Sequence, residues 1–113
     1  MKIIRKPITV QELKEMAAAM FGDLVKAVVD VDRELLAVDA ELHADLEALL
    51  LQDGSNQNSL WGINFYLELQ GDDFVEFDSM INMRPSQNNR SRGVESQEIR
   101  RKIIEIVAKK VQR

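Results

Sequence analysis

The chain has 113 residues, 45% hydrophobic and 30% charged, values that fit a single domain over residues 1–113 and exclude a disordered composition. Cysteine is absent and histidine occurs once, at His43, so disulfides, thiolate metal sites, cysteine nucleophiles and multi-histidine zinc sites within one chain are excluded. The net charge of −4 hides an asymmetry, because residues 1–83 hold 6 Lys and Arg against 16 Asp and Glu, whereas residues 84–113 hold 9 against 3.

A basic C-terminal quarter suits an external anion, but docking on the chain's own acidic body needs no further assumption and is the preferred reading. No apolar run approaches the ~20 residues that span a bilayer. The start, "MKIIRKPITVQELKE", lacks the apolar core and cleavage site of a signal peptide, so a cytoplasmic location without membrane contact is expected.

The first element is a helix in "PITVQELKEMAAAMFG". Thr9 is its N-cap, Glu12 closes a capping box, Ile8 and Leu13 form a hydrophobic staple, and Gly22 supplies the stop. In "DLVKAVVDVDRELLAVDA", Val25, Ala27, Val29 and Val31 alternate with Lys26, Val28 and Asp30 as a strand. Asp32 and Arg33 then turn the chain into a return strand, Leu35 to Val38. "ELHADLEALLLQDG" reads as a helix through Leu42, Leu46, Leu49 and Leu50, capped by Asp45 and closed by Gly54, although a strand through His43 before a shorter helix also fits.

A second hairpin follows. Trp61, Ile63, Phe65, Leu67 and Leu69 share one face opposite Asn64, Tyr66 and Glu68, and "QGDD" leads into "FVEFDSMINMRP". There Val75, Phe77, Ile81 and Met83 oppose Glu76, Asp78, Asn82 and Arg84, and Pro85 ends the strand. Ser96 caps a last amphipathic helix with Ile99, Ile103, Ile106, Val107 and Val111 as its buried stripe. The expected fold is α+β: an antiparallel sheet of about four strands in two hairpins, with about three helices on one face, in two layers.

The functional candidates concentrate in "INMRPSQNNRSRGVES". Asp78, Asn82 and Arg84 would share a strand face within cross-strand reach of Asn64 and Tyr66, and Asn88, Asn89, Arg90 and Arg92 follow in the loop. Arginine forks suit phosphate or carboxylate, and the loop runs into a helix N-terminus that favours anions. The bland alternative is that Asp78 pairs with Arg90 or Arg92 and pins the loop. A protein partner or homodimer is a third reading. Nucleic acid is a weaker one, since only 5% of residues are aromatic and no nucleic-acid signature occurs.

Catalysis would rest on His43, oriented by Asp45, Glu47 or Asp78, with Ser79, Ser86 or Ser91 as nucleophile, yet no nucleophile motif surrounds them. A metal site from Asp30, Asp32 and Glu34 is weaker than a solvated turn, so neither metal nor cofactor is expected. The working reading is a binding module with an anionic ligand; the competing one is a small hydrolase or phosphoryl-handling enzyme using His43, Asp78 and the loop arginines.

"ELHAD", "LWGINFY" and "EFDSMINMRPSQNNRSRGVE", in this order, resemble a family of short prokaryotic proteins known only as a domain of unknown function. The resemblance covers nearly the whole chain and implies a standalone prokaryotic protein. It brings no activity, cofactor or catalytic residue with it.

Overall fold

The computed structural model describes all residues, Met1–Arg113. Five antiparallel strands form the main sheet in the order β1 (Lys2–Ile4), β4 (Leu35–Val38), β3 (Leu24–Asp30), β5 (Leu60–Tyr66) and β6 (Val75–Glu76). Two short segments, β2 (Ile8–Thr9) and β7 (Val111–Gln112), pair in parallel beside it. The helices are α1 (Val10–Ala18), α2 (His43–Gln52) and α3 (Gln97–Lys110).

Local signals place most of these elements. The Thr9 hydroxyl accepts from the Glu12 N–H and the Glu12 carboxylate accepts from the Thr9 N–H, both at 3.1 Å, so the capping box of α1 is complete. Gly22 adopts φ +88°, a left-handed conformation that suits glycine, and its N–H returns to the Ala17 carbonyl. The Ser96 hydroxyl caps α3 by accepting from the Ile99 N–H at 3.2 Å. Asp30 shapes the β3–β4 turn by accepting from the N–H groups of Asp32 and Arg33, both at 2.9 Å.

The sheet has five strands rather than four, because Lys2–Ile4 joins the outer edge of β4. Its helices divide between the two faces instead of sharing one. Val25, Ala27, Val29, Trp61, Ile63 and Phe65 pack with Leu13 of α1 and Ile103 and Ile106 of α3 in the larger core. Val28 and Leu60 project the other way and pack with Leu46 and Leu50 of α2. Val25, Ala27 and Val29 on one face of β3 and Val28 on the other leave the strand apolar on both sides at its centre, which calls for such double cover.

The second hairpin departs further from expectation. Strand β6 has two residues, paired with Asn64 and Phe65 of β5, and the chain leaves the sheet after Glu76. A 3-10 turn at Met80–Asn82 replaces the rest of the expected strand, so Asp78, Asn82 and Arg84 do not share a strand face. Helix α2 occupies His43–Gln52 with Leu42 at its N-cap, and Asp45 sits inside the first turn instead of capping it.

Ile103 is fully buried between α3 and the sheet. Ile103→Ala should therefore cost ~2–5 kcal/mol in denaturant melts, through lost burial and the cavity left behind. A loss below ~0.5 kcal/mol would contradict this docking of α3.

Candidate functional site

The Asn-rich loop is built inward. Asn82, fully buried, receives the Gly62 N–H on its side-chain oxygen at 2.8 Å and donates to the Gly62 carbonyl at 2.9 Å. It thus occupies the place a paired strand would take on β5. The fit depends on glycine: a Cβ on Gly62 would lie 2.5 Å from Ser79 Cβ and 3.2 Å from His43 Cδ2. Asn89, 3% exposed, directs its amide at the carbonyls of Asn82, Ser91 and Gly93 and accepts from the Glu95 N–H. Glu95 in turn accepts from the N–H groups of Ser91 and Arg90, which hold its carboxyl below the usual carboxylate range. Asn88 takes the left-handed conformation, φ +61°, at the exposed turn.

The arginines of this segment do not converge. Arg84 lies 4.2 Å above the Trp61 ring and donates to the carbonyls of Gln57 and Leu60 and to Gln87. Burial lowers its pKa. Arg92 pairs with Asp78 at 2.7 Å, the pinning contact expected for this loop. The Arg90 side chain is exposed and makes no hydrogen bond or ion pair. Across the basic quarter, Arg92 and Lys109 alone meet carboxylates; Arg84, Arg100 and Lys110 bind carbonyl oxygens, and Arg113 rests on the Phe74 ring. Neutral acceptors and aromatic faces, more than the acidic body, receive the basic surplus.

A cleft of about 390 Å³ lies where α2 stops covering the sheet. Its floor is a cross-strand row fixed by register, with Lys26 opposite Asn64 and Asn64 opposite Glu76, and Tyr66 and Leu24 in the next row. Leu42, His43 and Ala44 form one wall; Asp78, Ser79, Met80, Ile81 and Arg92 form the other. The Asn64 amide donates to Glu76 at 2.9 Å and to the Asp78 carbonyl at 3.2 Å, and the Tyr66 hydroxyl donates to Glu76 at 3.3 Å. Burial and the nearby Glu76 carboxylate raise the Tyr66 pKa.

Of the residues singled out from sequence, this cleft brings together His43, Asn64, Tyr66, Asp78, Ser79 and Arg92. Asn82 and Asn89 are buried in the scaffold beneath, and Arg84, Asn88 and Arg90 do not line it. Lys26, Glu76 and the backbone start of α2 were not singled out. The signal for Lys26 was a cation within a run of valines, on the face opposite Val25, Ala27 and Val29.

His43 is 9% exposed, and its Nε2 donates to the Ile63 carbonyl at 2.8 Å, since a carbonyl can only accept. That fixes the tautomer and leaves Nδ1 as an unpartnered acceptor. The ring turns Cδ2 toward Gly62 and Ser79, so its committed nitrogen is not available as a base for the Ser79 hydroxyl, itself 2% exposed and accepting from the Ile81 N–H. Leu42 cannot cap α2, and the N–H groups of His43 and Ala44 find no acceptor within the chain.

These features define a small α+β protein with helices on both faces of its sheet and a mixed-charge cleft at a bare helix start. The chain belongs to the family described as Protein of unknown function (DUF5674), whose model matches residues 2–110. Neither a curated protein nor a solved structure matches it. No helix is long and apolar enough to cross a membrane.

Two outcomes follow from this geometry. Desolvation pushes the His43 pKa below its ordinary value, against the opposing hydrogen bond to Ile63. The unfolded chain therefore takes up the proton first as pH falls. The stabilisation is complete above about pH 6.5 and is lost as pH drops through the lower folded value. Urea melts from about pH 7.5 to about pH 5.5 should show a larger loss for wild type than for His43→Asn, which does not titrate there. Asn82→Ala leaves a buried peptide without partners and should cost at least ~2 kcal/mol, with faster hydrogen exchange at the Gly62 amide.

Proposed function

We propose that this protein is a binding module and that its ligand presents an anionic group to the cleft beside the start of α2. The observation carrying this reading is the pairing of two donor sets that meet no anion and no hydrogen-bond acceptor within the chain. Lys26 makes no ion pair and rests 5.1 Å from the Phe21 ring, while the first N–H groups of α2 are bare. A helix start attracts anions through those groups and the helix dipole, and a nearby ammonium adds charge. Arg92, already engaged with Asp78, flanks the same space. A cytoplasmic setting accords with the lack of cysteine.

Hydrolysis is the poorer reading. His43 spends Nε2 on the Ile63 carbonyl, Ser79 is almost wholly buried in the cleft wall, and neither Arg84 nor Arg90 reaches His43 and Asp78. Binding needs none of these groups to move.

Sulfate titration followed by amide chemical shifts tests the reading. The largest changes should fall at His43, Ala44 and Lys26; Lys26→Ala should abolish them, and rising salt should weaken them. Arg90→Ala should leave both binding and stability unchanged, within ~0.5 kcal/mol for the latter. Loss of binding in Arg90→Ala with retention in Lys26→Ala would move the site to the loop tip and refute the cleft.

A further inference from the structure

We propose that the ligand of this cleft is a zwitterion of the α-amino acid type, with an aliphatic side chain. The inference rests on the anion-binding reading above and specifies what else the ligand must carry. Lys26 and Glu76 stand at opposite ends of one cross-strand row, two strands apart, with Asn64 between them. Neither forms an ion pair within the chain. Two strand spacings separate their backbones by about 10 Å, a gap that both side chains can narrow by leaning inward. One unpaired cation and one unpaired anion on a single floor suit a ligand bearing both signs.

The unused hydrogen-bonding capacity points the same way. Donors to Glu76 and to the Asp78 carbonyl fix the Asn64 amide, so its oxygen is turned from both of them. That oxygen has no donor although Asn64 is 7% exposed. That oxygen is closed off from solvent, so it is an internal cost under the floor and not itself a ligand contact. Nδ1 of His43 is the vacant acceptor that the wall offers. Sulfate or phosphate would satisfy Lys26 and the helix start but leave Nδ1 and the Glu76 carboxylate facing like-signed oxygens. An ammonium beside Glu76 and Nδ1 meets both.

The carboxylate would then sit toward Lys26 and the N–H groups of His43 and Ala44. The rim accounts for the remainder. Leu42 and Met80, 56% and 64% exposed, line the cleft together with Ile81, an apolar lip suited to an aliphatic side chain.

Calorimetry of the full chain with L-leucine, isocaproate and isoamylamine separates the two charges, since the acid lacks the ammonium and the amine lacks the carboxylate. Leucine should bind roughly 10- to 100-fold more tightly than isocaproate, the size of one charged hydrogen-bonded partner. Glu76→Gln should bring leucine down to the affinity of the acid and leave the acid unchanged. Lys26→Met should weaken both. Isocaproate binding as tightly as leucine would overturn the zwitterion and leave the anion site standing. Tight isoamylamine binding without isocaproate binding would overturn both readings; no binding by any of the three would overturn the zwitterion, while the anion reading stands or falls on the sulfate titration.

Discussion

Strand β5 presents the Gly62 peptide at the point where β6 has ended, and leaving that N–H and carbonyl buried without partners would cost about 1–3 kcal/mol for each group. The side chain of Asn82 meets both, at 2.8 and 2.9 Å, and substitutes for the strand that is missing. Ser79 must lie against Gly62 for that contact, which sets the backbone of residues 78–82 over the sheet and supplies one wall of the cleft. The loop beyond inherits its path from the same point, because Asn82 also donates to the Arg92 carbonyl and receives Asn89 on its own carbonyl. Arg92 is thereby carried to Asp78.

The elements readable from sequence were those specified by neighbours a few residues apart. Thr9 with Glu12, Ser96 with Ile99 and the stripe Ile103, Ile106 and Val107 each express a local rule, and each stands as read. The β3–β4 hairpin belongs with them. The end of β6 does not, because alternation continues through Ile81 and Met83 as though the strand went on. What stops it is a contact between Asn82 and Gly62, separated by 20 residues, and periodicity carries no record of such a contact. The position of α2 escaped for a related reason: leucines at helical spacing show that a helix buries a face, not which side of the sheet receives it.

The site was legible in fragments. His43, Asn64, Asp78 and Arg92 were singled out and do line one cleft, while the composition that drew attention to Arg84, Asn82 and Asn89 reflects scaffold work. Asparagine serves both purposes because its amide pairs with a peptide as readily as with a ligand. Arg84 shows the same ambiguity for guanidinium, spread over Trp61 and bonded to two backbone carbonyls. Burial with every donor committed separates scaffold from site, and that property exists only in three dimensions.

The parallel pairing of Ile8 and Thr9 with Val111 and Gln112 has its own consequence for how the molecule assembles. It closes a loop of about a hundred residues, and closure entropy grows so slowly with length that this is a modest thermodynamic burden. Kinetically the position differs, since contacts of such long range cannot guide an early search. The β3–β4 hairpin and the α2 segment that follows it can organise first on short connections. The two chain ends then meet as α3 settles over the larger core. Contact range thus favours an order of folding from the middle outward, in which the apolar stripe of the amphipathic last helix is the piece that waits longest for cover.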